Sequence, residues 1–142
     1  MLPGLIAALL LVGPGPLPQP SPIGLWETRS DATGEAQSLV RIYESGGKLF
    51  GRIERLLVSD GVPDTCVACK DERKGQPLLS LVIIRNLTAS GDQYKGGDIL
   101  DPENGKVYRC TLRLDASGSR LTVRGYIGIS LFGRSQTWRR IE

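Results

Sequence analysis

The feature that most constrains this chain is a period of two. From Ile23 onward apolar and polar residues alternate in short segments, separated by Gly, Asp, Asn and Ser, and no long stretch shows helical periodicity. Such a pattern folds as sheet with one face buried. Eight segments qualify as strands: Gly24 to Arg29, Gln37 to Glu44, Lys48 to Leu57, Leu79 to Thr88, Gln93 to Leu100, Lys106 to Leu114, Arg120 to Ile127 and Ser135 to Ile141. Alternation turns Val40 and Ile42, Leu49 and Ile53, Cys110 with Leu112 and Leu114, and Leu121 with Val123 and Ile127 inward, and leaves Arg41, Arg52, Arg113 and Arg124 to water. Ser45-Gly46-Gly47, Asn104-Gly105 and Ser117-Gly118 fall between strands where positive φ is needed, which predicts tight hairpins. The expected fold is all-β, a small antiparallel up-and-down β-barrel; the alternative arrangement of the same hairpins is a two-sheet sandwich.

Leu81 to Ile84 is apolar on both sides, so that strand is expected to be covered on both faces, with the long Val58 to Pro77 connection packing over it. Gly51, Gly96, Gly97, Gly125 and Gly128 lie in or beside strands, where glycine marks bulges and barrel corners more often than close approach of a ligand.

Residues 1–22 read differently. Leu2 to Val12 is almost wholly apolar, too short to span a bilayer as a helix but suited to the hydrophobic region of a secretory signal, and Gly13 to Pro22 alternates Pro with small or polar residues as a linker does. The expectation is a signal peptide and Pro-rich linker over 1–22 and one domain over 23–142, periplasmic or secreted. No Lys or Arg precedes the apolar run and no small-x-small site follows it, so a disordered tail on a cytosolic protein stands as the other reading. No Cys follows at a lipoprotein position, so no lipid anchor or integral membrane segment is expected after leader removal.

Several motifs carry a family resemblance: Gly24-Leu25-Trp26, Ile42-Tyr43-Glu44, Gly51-Arg52-Ile53, Gln76-Pro77-Leu78-Leu79, Asp101-Pro102-Glu103-Asn104-Gly105-Lys106, Arg124-Gly125-Tyr126-Ile127-Gly128, and Leu131-Phe132-Gly133-Arg134-Ser135-Gln136-Thr137-Trp138. In this order, from about Ile23 to Ile141, they resemble the bacterial domain of unknown function 2147 (DUF2147). The resemblance implies an exported protein with no assigned activity. A second likeness runs to the calycin, or lipocalin-like, barrels, in which a Gly-x-Trp of the first strand closes one end and an Arg near the last strand lies across the indole. It implies closure by Trp26 with Arg134 or Arg139. A buried Trp contributes roughly 3 kcal/mol and a stacked Arg about 1.

The chain has no His, which removes the commonest general base, the commonest metal ligand and every Ser-His or Cys-His pair. Cys66-Val67-Ala68-Cys69 admits a disulfide, a redox couple or half a metal site. A redox couple belongs at a helix N-terminus after a parallel strand, and a zinc site needs a fourth ligand that Cys110 does not complete, so a structural Cys66–Cys69 disulfide in an oxidising compartment is favoured and no metal or cofactor is expected. Cys110 alternates with core leucines and is expected to be a buried free thiol. Asp98, Asp101, Glu103 and Asn104 are acidic enough for calcium, but Pro102 and Gly105 fit a hydrogen-bonded turn better.

Tyr126 to Gly133 is too apolar and Gly-rich for an ordinary exposed loop and is expected to cap the barrel, with Tyr43, Tyr126, Phe132 and Trp138 lining the entrance for a small apolar ligand. A barrel filled by its own side chains is the competing expectation. With a net charge of only +3 and no basic stripe in the linear sequence, no nucleic-acid partner is expected. The function read from sequence is therefore a monomeric, non-enzymatic binder of a small hydrophobic or amphipathic molecule in the cell envelope. A structural or stress-related module that contacts an envelope protein comes next, and an enzyme third.

Overall fold

The computed structural model describes residues 3–13, 20–58, 60–129 and 133–142. Eight strands form a closed antiparallel barrel in sequence order: β1 (Gly24–Arg29), β2 (Ala36–Ser45), β3 (Lys48–Leu56), β4 (Val82–Ser90), β5 (Gln93–Leu100), β6 (Val107–Leu114), β7 (Arg120–Tyr126) and β8 (Gly133–Arg140). Each was legible from the alternation, and the sandwich is excluded because β8 pairs back onto β1. Among the described residues there is no helix.

Positive φ at Gly46 (60°), Gly47 (78°), Gly105 (74°) and Gly118 (76°) builds the three expected hairpins, and Gly91 (61°) builds a fourth between β4 and β5 that the sequence reading did not single out. The inward residues also fall as alternation requires: Val40, Ile42, Leu49, Ile53, Cys110, Leu112, Leu121 and Val123 are buried, with Leu114 packed against them. Ile127 departs from the pattern. It lies one residue beyond the end of β7, where the chain leaves the sheet, and is 62% exposed.

Strand β4 starts at Val82 rather than Leu79: Ser80 takes a positive φ of 70° and turns the chain before the regular ladder begins. Residues 80 and 81 are tied irregularly to β3, Ser80 N donating to Ile53 O (2.7 Å) and Ile53 N to Leu81 O (3.0 Å). The long connection covers β4 as expected. Arg73 donates from Nη1 to Val82 O (2.8 Å), and Arg85 of β4 pairs with Glu72 (2.7 Å). Arg73 itself is buried and chelated by Asp71, whose carboxyl these hydrogen bonds hold down at about 2.

Up-and-down order gives the barrel two unlike ends. One gathers the β2–β3, β4–β5 and β6–β7 hairpins with both ends of the sheet's chain; the other gathers the β1–β2, β3–β4, β5–β6 and β7–β8 connections. The first end is shut. Trp26 is fully buried there, its Nε1 donating to Pro22 O (2.8 Å), and the Arg140 guanidinium lies 4.4 Å from the indole centroid. Arg140 also donates from Nε to Gly118 O (2.6 Å), from Nη1 to Ile23 O (3.0 Å) and from Nη2 to Ser21 O.

The closing arginine is thus Arg140, not Arg134 or Arg139. Register decides it: Trp26 and Arg140 are cross-strand partners and share a face, whereas Arg139 faces Glu27 on the outer surface (3.0 Å). Arg134 shares the inward parity but sits six residues along the strand, at the opposite end, paired with Asp31 (3.2 Å).

Arg140→Ala is expected to cost about 2–3 kcal/mol, since it removes hydrogen bonds from a charged group and a cation–π contact while leaving three carbonyls unpaired. Arg139→Ala, which breaks a partly exposed ion pair, should cost under about 1 kcal/mol. Urea melts of the two variants side by side check the order; equal losses would contradict it.

Candidate functional site

Above the closed end the interior is packed by Leu87, Leu112, Leu121 and Trp26, all fully buried. Toward the other end it opens into a cavity of about 1160 Å³. Its walls are apolar below, from Ile53, Leu78, Ile83, Ile99, Val123 and Trp138, and mixed above, where the β1–β2 and β5–β6 connections bring polar side chains and the β3–β4 and β7–β8 connections bring mainly apolar ones such as Val62 and Ile127. The barrel is therefore filled in its closed half and hollow in its open half, so each of the two packings weighed from sequence describes one end.

The hollow has a cause in the inward residues. Thr28 of β1 and Ser38 of β2 face in as a mutually hydrogen-bonded pair (Oγ1···Oγ 2.7 Å), which spares their hydroxyls from an apolar wall. On β8 the same face carries Arg134, Gln136 and Trp138, and Gln136 Oε1 accepts from Trp138 Nε1 (3.0 Å). On β7 the inward place above Val123 is Gly125, which adds no side chain to the cavity and leaves room for Tyr108 on β6, whose Cβ would lie 3.3 Å from any Cβ at 125. Short or polar residues at inward positions near one end of a barrel are the sequence signal that was available for this site; Gly125 had been assigned to curvature.

Of the four aromatics expected at the entrance, Tyr126 and Trp138 line the cavity. Tyr43 does not. Its neighbours Val40 and Ile42 take the inward parity of β2, so its ring lies on the outer surface, stacked on Phe50 (centroids 5.8 Å) under the guanidinium of Arg52 (4.9 Å). Phe132 lies outside the described residues.

Among the described residues the rim carries Asp31, Glu35, Asp101 and Glu103 with a single cation, Arg134, which is bound to Asp31. Glu103 accepts from Gln37 Nε2 (2.7 Å), joining the β5–β6 connection to the start of β2. The acidic segment proves to be a turn: Asp101 Oδ1 accepts from Glu103 N (2.9 Å) and Asn104 Oδ1 from Lys106 N (2.8 Å), while Asp98 is held apart by Arg85 (3.3 Å).

Cys66 and Cys69 are joined in a disulfide, and both are buried in the rim of the cavity against the β5–β6 turn. Gly105 makes that docking feasible, because a Cβ there would lie 1.8 Å from Ala68 O. Cys110 is a buried free thiol beneath the cavity, its pKa pushed up to about 12 by burial and then by the charge of Asp98. It is no nucleophile at neutral pH.

An eight-stranded closed barrel with one end shut by a stacked Trp–Arg pair and the other open over a cavity is a lipocalin-like fold. The structure is similar to that reported as "Protein HP1028 from the human pathogen Helicobacter pylori belongs to the lipocalin family", with a TM-score of 0.72, 19% identity, and 84% of this chain and 82% of that one covered. The chain belongs to the family described as "Uncharacterized protein conserved in bacteria (DUF2147)", which it matches over residues 24–140. No curated protein matches it.

Two outcomes follow from this geometry. Gly105→Ala forces the disulfide loop off the β5–β6 turn and imposes strain at a φ of 74°, so a loss of about 2 kcal/mol or more is expected, comparable to the roughly 2 kcal/mol assigned to the four-residue disulfide loop. Melts of Gly105→Ala with and without reductant measure both. For Cys110, the folded pKa is raised from 9.0 to about 12, so its contribution to stability is intact below pH 9 and lost as pH rises through 12. Between these limits the slope approaches about 1.4 kcal/mol per pH unit, and Cys110→Ala should flatten it.

Proposed function

We propose that this protein is a carrier or sensor that holds one small amphipathic molecule in the open half of the barrel and performs no chemistry on it. The observation that carries this is the cavity itself, about 1160 Å³ with an apolar floor, a rim that carries carboxylates among apolar side chains, and a shut far end. Binding sites are concave, mostly apolar and fitted with a few convergent polar groups, and this one follows that plan. The ligand's apolar body would lie against Ile83, Ile99, Val123 and Trp138. Its head would meet the carboxylates of Glu35 and Glu103, which suits a hydrogen-bond donor or a cation. The cell envelope is the proposed setting. The apolar Leu2 to Val12 run supports it, as does a disulfide, which persists in oxidising compartments.

The test is uptake of a neutral apolar fluorophore, N-phenyl-1-naphthylamine, read by energy transfer from Trp138, together with native mass spectrometry of protein purified without detergent. Micromolar binding is expected, weakened about tenfold by Gly125→Val, which puts a side chain where the cavity now has none. Absence of both fluorophore uptake and any co-purifying mass would refute the reading. Fractionation of cells that express the full chain, with N-terminal sequencing of the product, tests the location separately.

A further inference from the structure

The outer face of β6, β7 and β8 is a concentrated cationic surface. These three adjacent strands contain seven arginines and no Asp, Glu or Lys. The whole chain is nearly balanced, with 18 Lys and Arg against 15 Asp and Glu, so the remainder is net acidic and the charge is segregated in space. Arg109 and Arg113 of β6, Arg120 and Arg124 of β7 and Arg139 of β8 take the outward parity, with Arg139, at the edge of the field, paired with Glu27 of β1. Cross-strand pairing sets hydroxyls between them: Thr111 opposite Arg124, Arg124 opposite Ser135, and Arg113 opposite Thr122. Among the described residues no carboxylate pairs with Arg109, Arg113 or Arg120. Asp98, the cross-strand partner of Arg109, is engaged by Arg85 instead.

A second observation lies at the open end of the same face. Val107, at the start of β6, is 42% exposed, and Ile127 and Ile129, in the connection after β7, are 62% and 58% exposed. Apolar residues beside a field of arginines and hydroxyls are what a phospholipid surface meets: guanidinium and hydroxyl donors for phosphates, and aliphatic side chains for the acyl boundary.

We infer that the β6–β8 face, with the Ile127 and Ile129 rim, docks this barrel side-on onto a bilayer surface rich in anionic phospholipid. Side-on contact follows from the rim charges, since Asp31, Glu35, Asp101 and Glu103 on the β1–β2 and β5–β6 connections would be repelled by a mouth-down approach. In this pose the mouth lies beside the headgroups, and the docking needs no occupant in the cavity.

The experiment is co-sedimentation of the full chain with phosphatidylcholine vesicles and with vesicles containing phosphatidylglycerol. The apolar N-terminal run would partition into both alike, so the readout is the difference between them. Each arginine near an anionic surface is worth about fivefold in partitioning. The native chain is expected to prefer phosphatidylglycerol vesicles in low salt and to lose that preference at about 1 M salt. Arg109→Gln, Arg113→Gln and Arg120→Gln together should cut the preference by about a hundredfold. Ile127→Ser with Ile129→Ser should weaken binding while its salt dependence persists. A triple variant that folds and binds as the native chain does would overturn the inference, as would equal binding to both vesicle types. Capture by dextran sulfate without preference among vesicles would overturn it in favour of a soluble polyanion.

Discussion

The barrel depends on its narrowest seam. β2 and β3 pair over eight positions and β7 and β8 over seven, but β1 and β8 pair only at Trp26 with Arg140 and Glu27 with Arg139. A sheet that fails to close there exposes two edges and lets water into the apolar interior. The short ladder is extended past the strand ends by Leu25 N to Glu142 O and Ile141 N to Leu25 O, both 2.8 Å. Arg140 does the rest, reaching the chain before β1 and the β6–β7 turn while lying on Trp26. A lysine would supply one point charge here and could not stack and bridge three carbonyls in fixed directions.

Closing one end firmly is what allows the other to be hollow. The lower leucines and Trp26 form a dry plug, so the upper interior is free to carry Thr28, Ser38 and Gln136, with their polar atoms paired to one another or to Trp138. The rim is held by docked connections rather than by the ladder. The disulfide loop lies on Gly105, Gln37 bridges to Glu103 and Asp31 holds Arg134. These contacts tie three of the four connections to one another or to β8, so the entrance is shaped by side chains that local sequence does not pair.

That division explains what was legible in the sequence. Strand positions, the inward leucines and valines, the glycine hairpins and the Cys66–Cys69 bond all rest on short-range rules, the period of two, positive φ and close spacing, and the structure follows them. The start of β4 depended on a non-glycine residue, Ser80, at positive φ, which composition does not signal. Arg140 was passed over for Arg134 and Arg139 because the choice turns on the register between the first and last strands. Tyr43 illustrates the opposite error: an aromatic was read as a lining residue although the parity of Val40 and Ile42 already placed it outside. The cavity was written in the inward polar residues of β1, β2 and β8, a pattern that becomes readable only when strands are aligned by end as well as by face.

A barrel strand carries two interleaved sequences, and the two sides of β6, β7 and β8 show how separately they can be set. Along β6, Cys110 and Leu112 pack the core while Arg109, Thr111 and Arg113 alternate with them on the outside; along β7, Leu121 and Val123 alternate with Arg120, Thr122 and Arg124. Because neighbours in sequence point to opposite faces, a substitution on the outside leaves the plug and cavity untouched. Net charge over the linear chain averages the two faces with the acidic rim and hides both. The cationic face therefore emerges only once β6, β7 and β8 pair side by side, and the Trp26–Arg140 contact that seals the barrel holds the outer edge of β8 against β1.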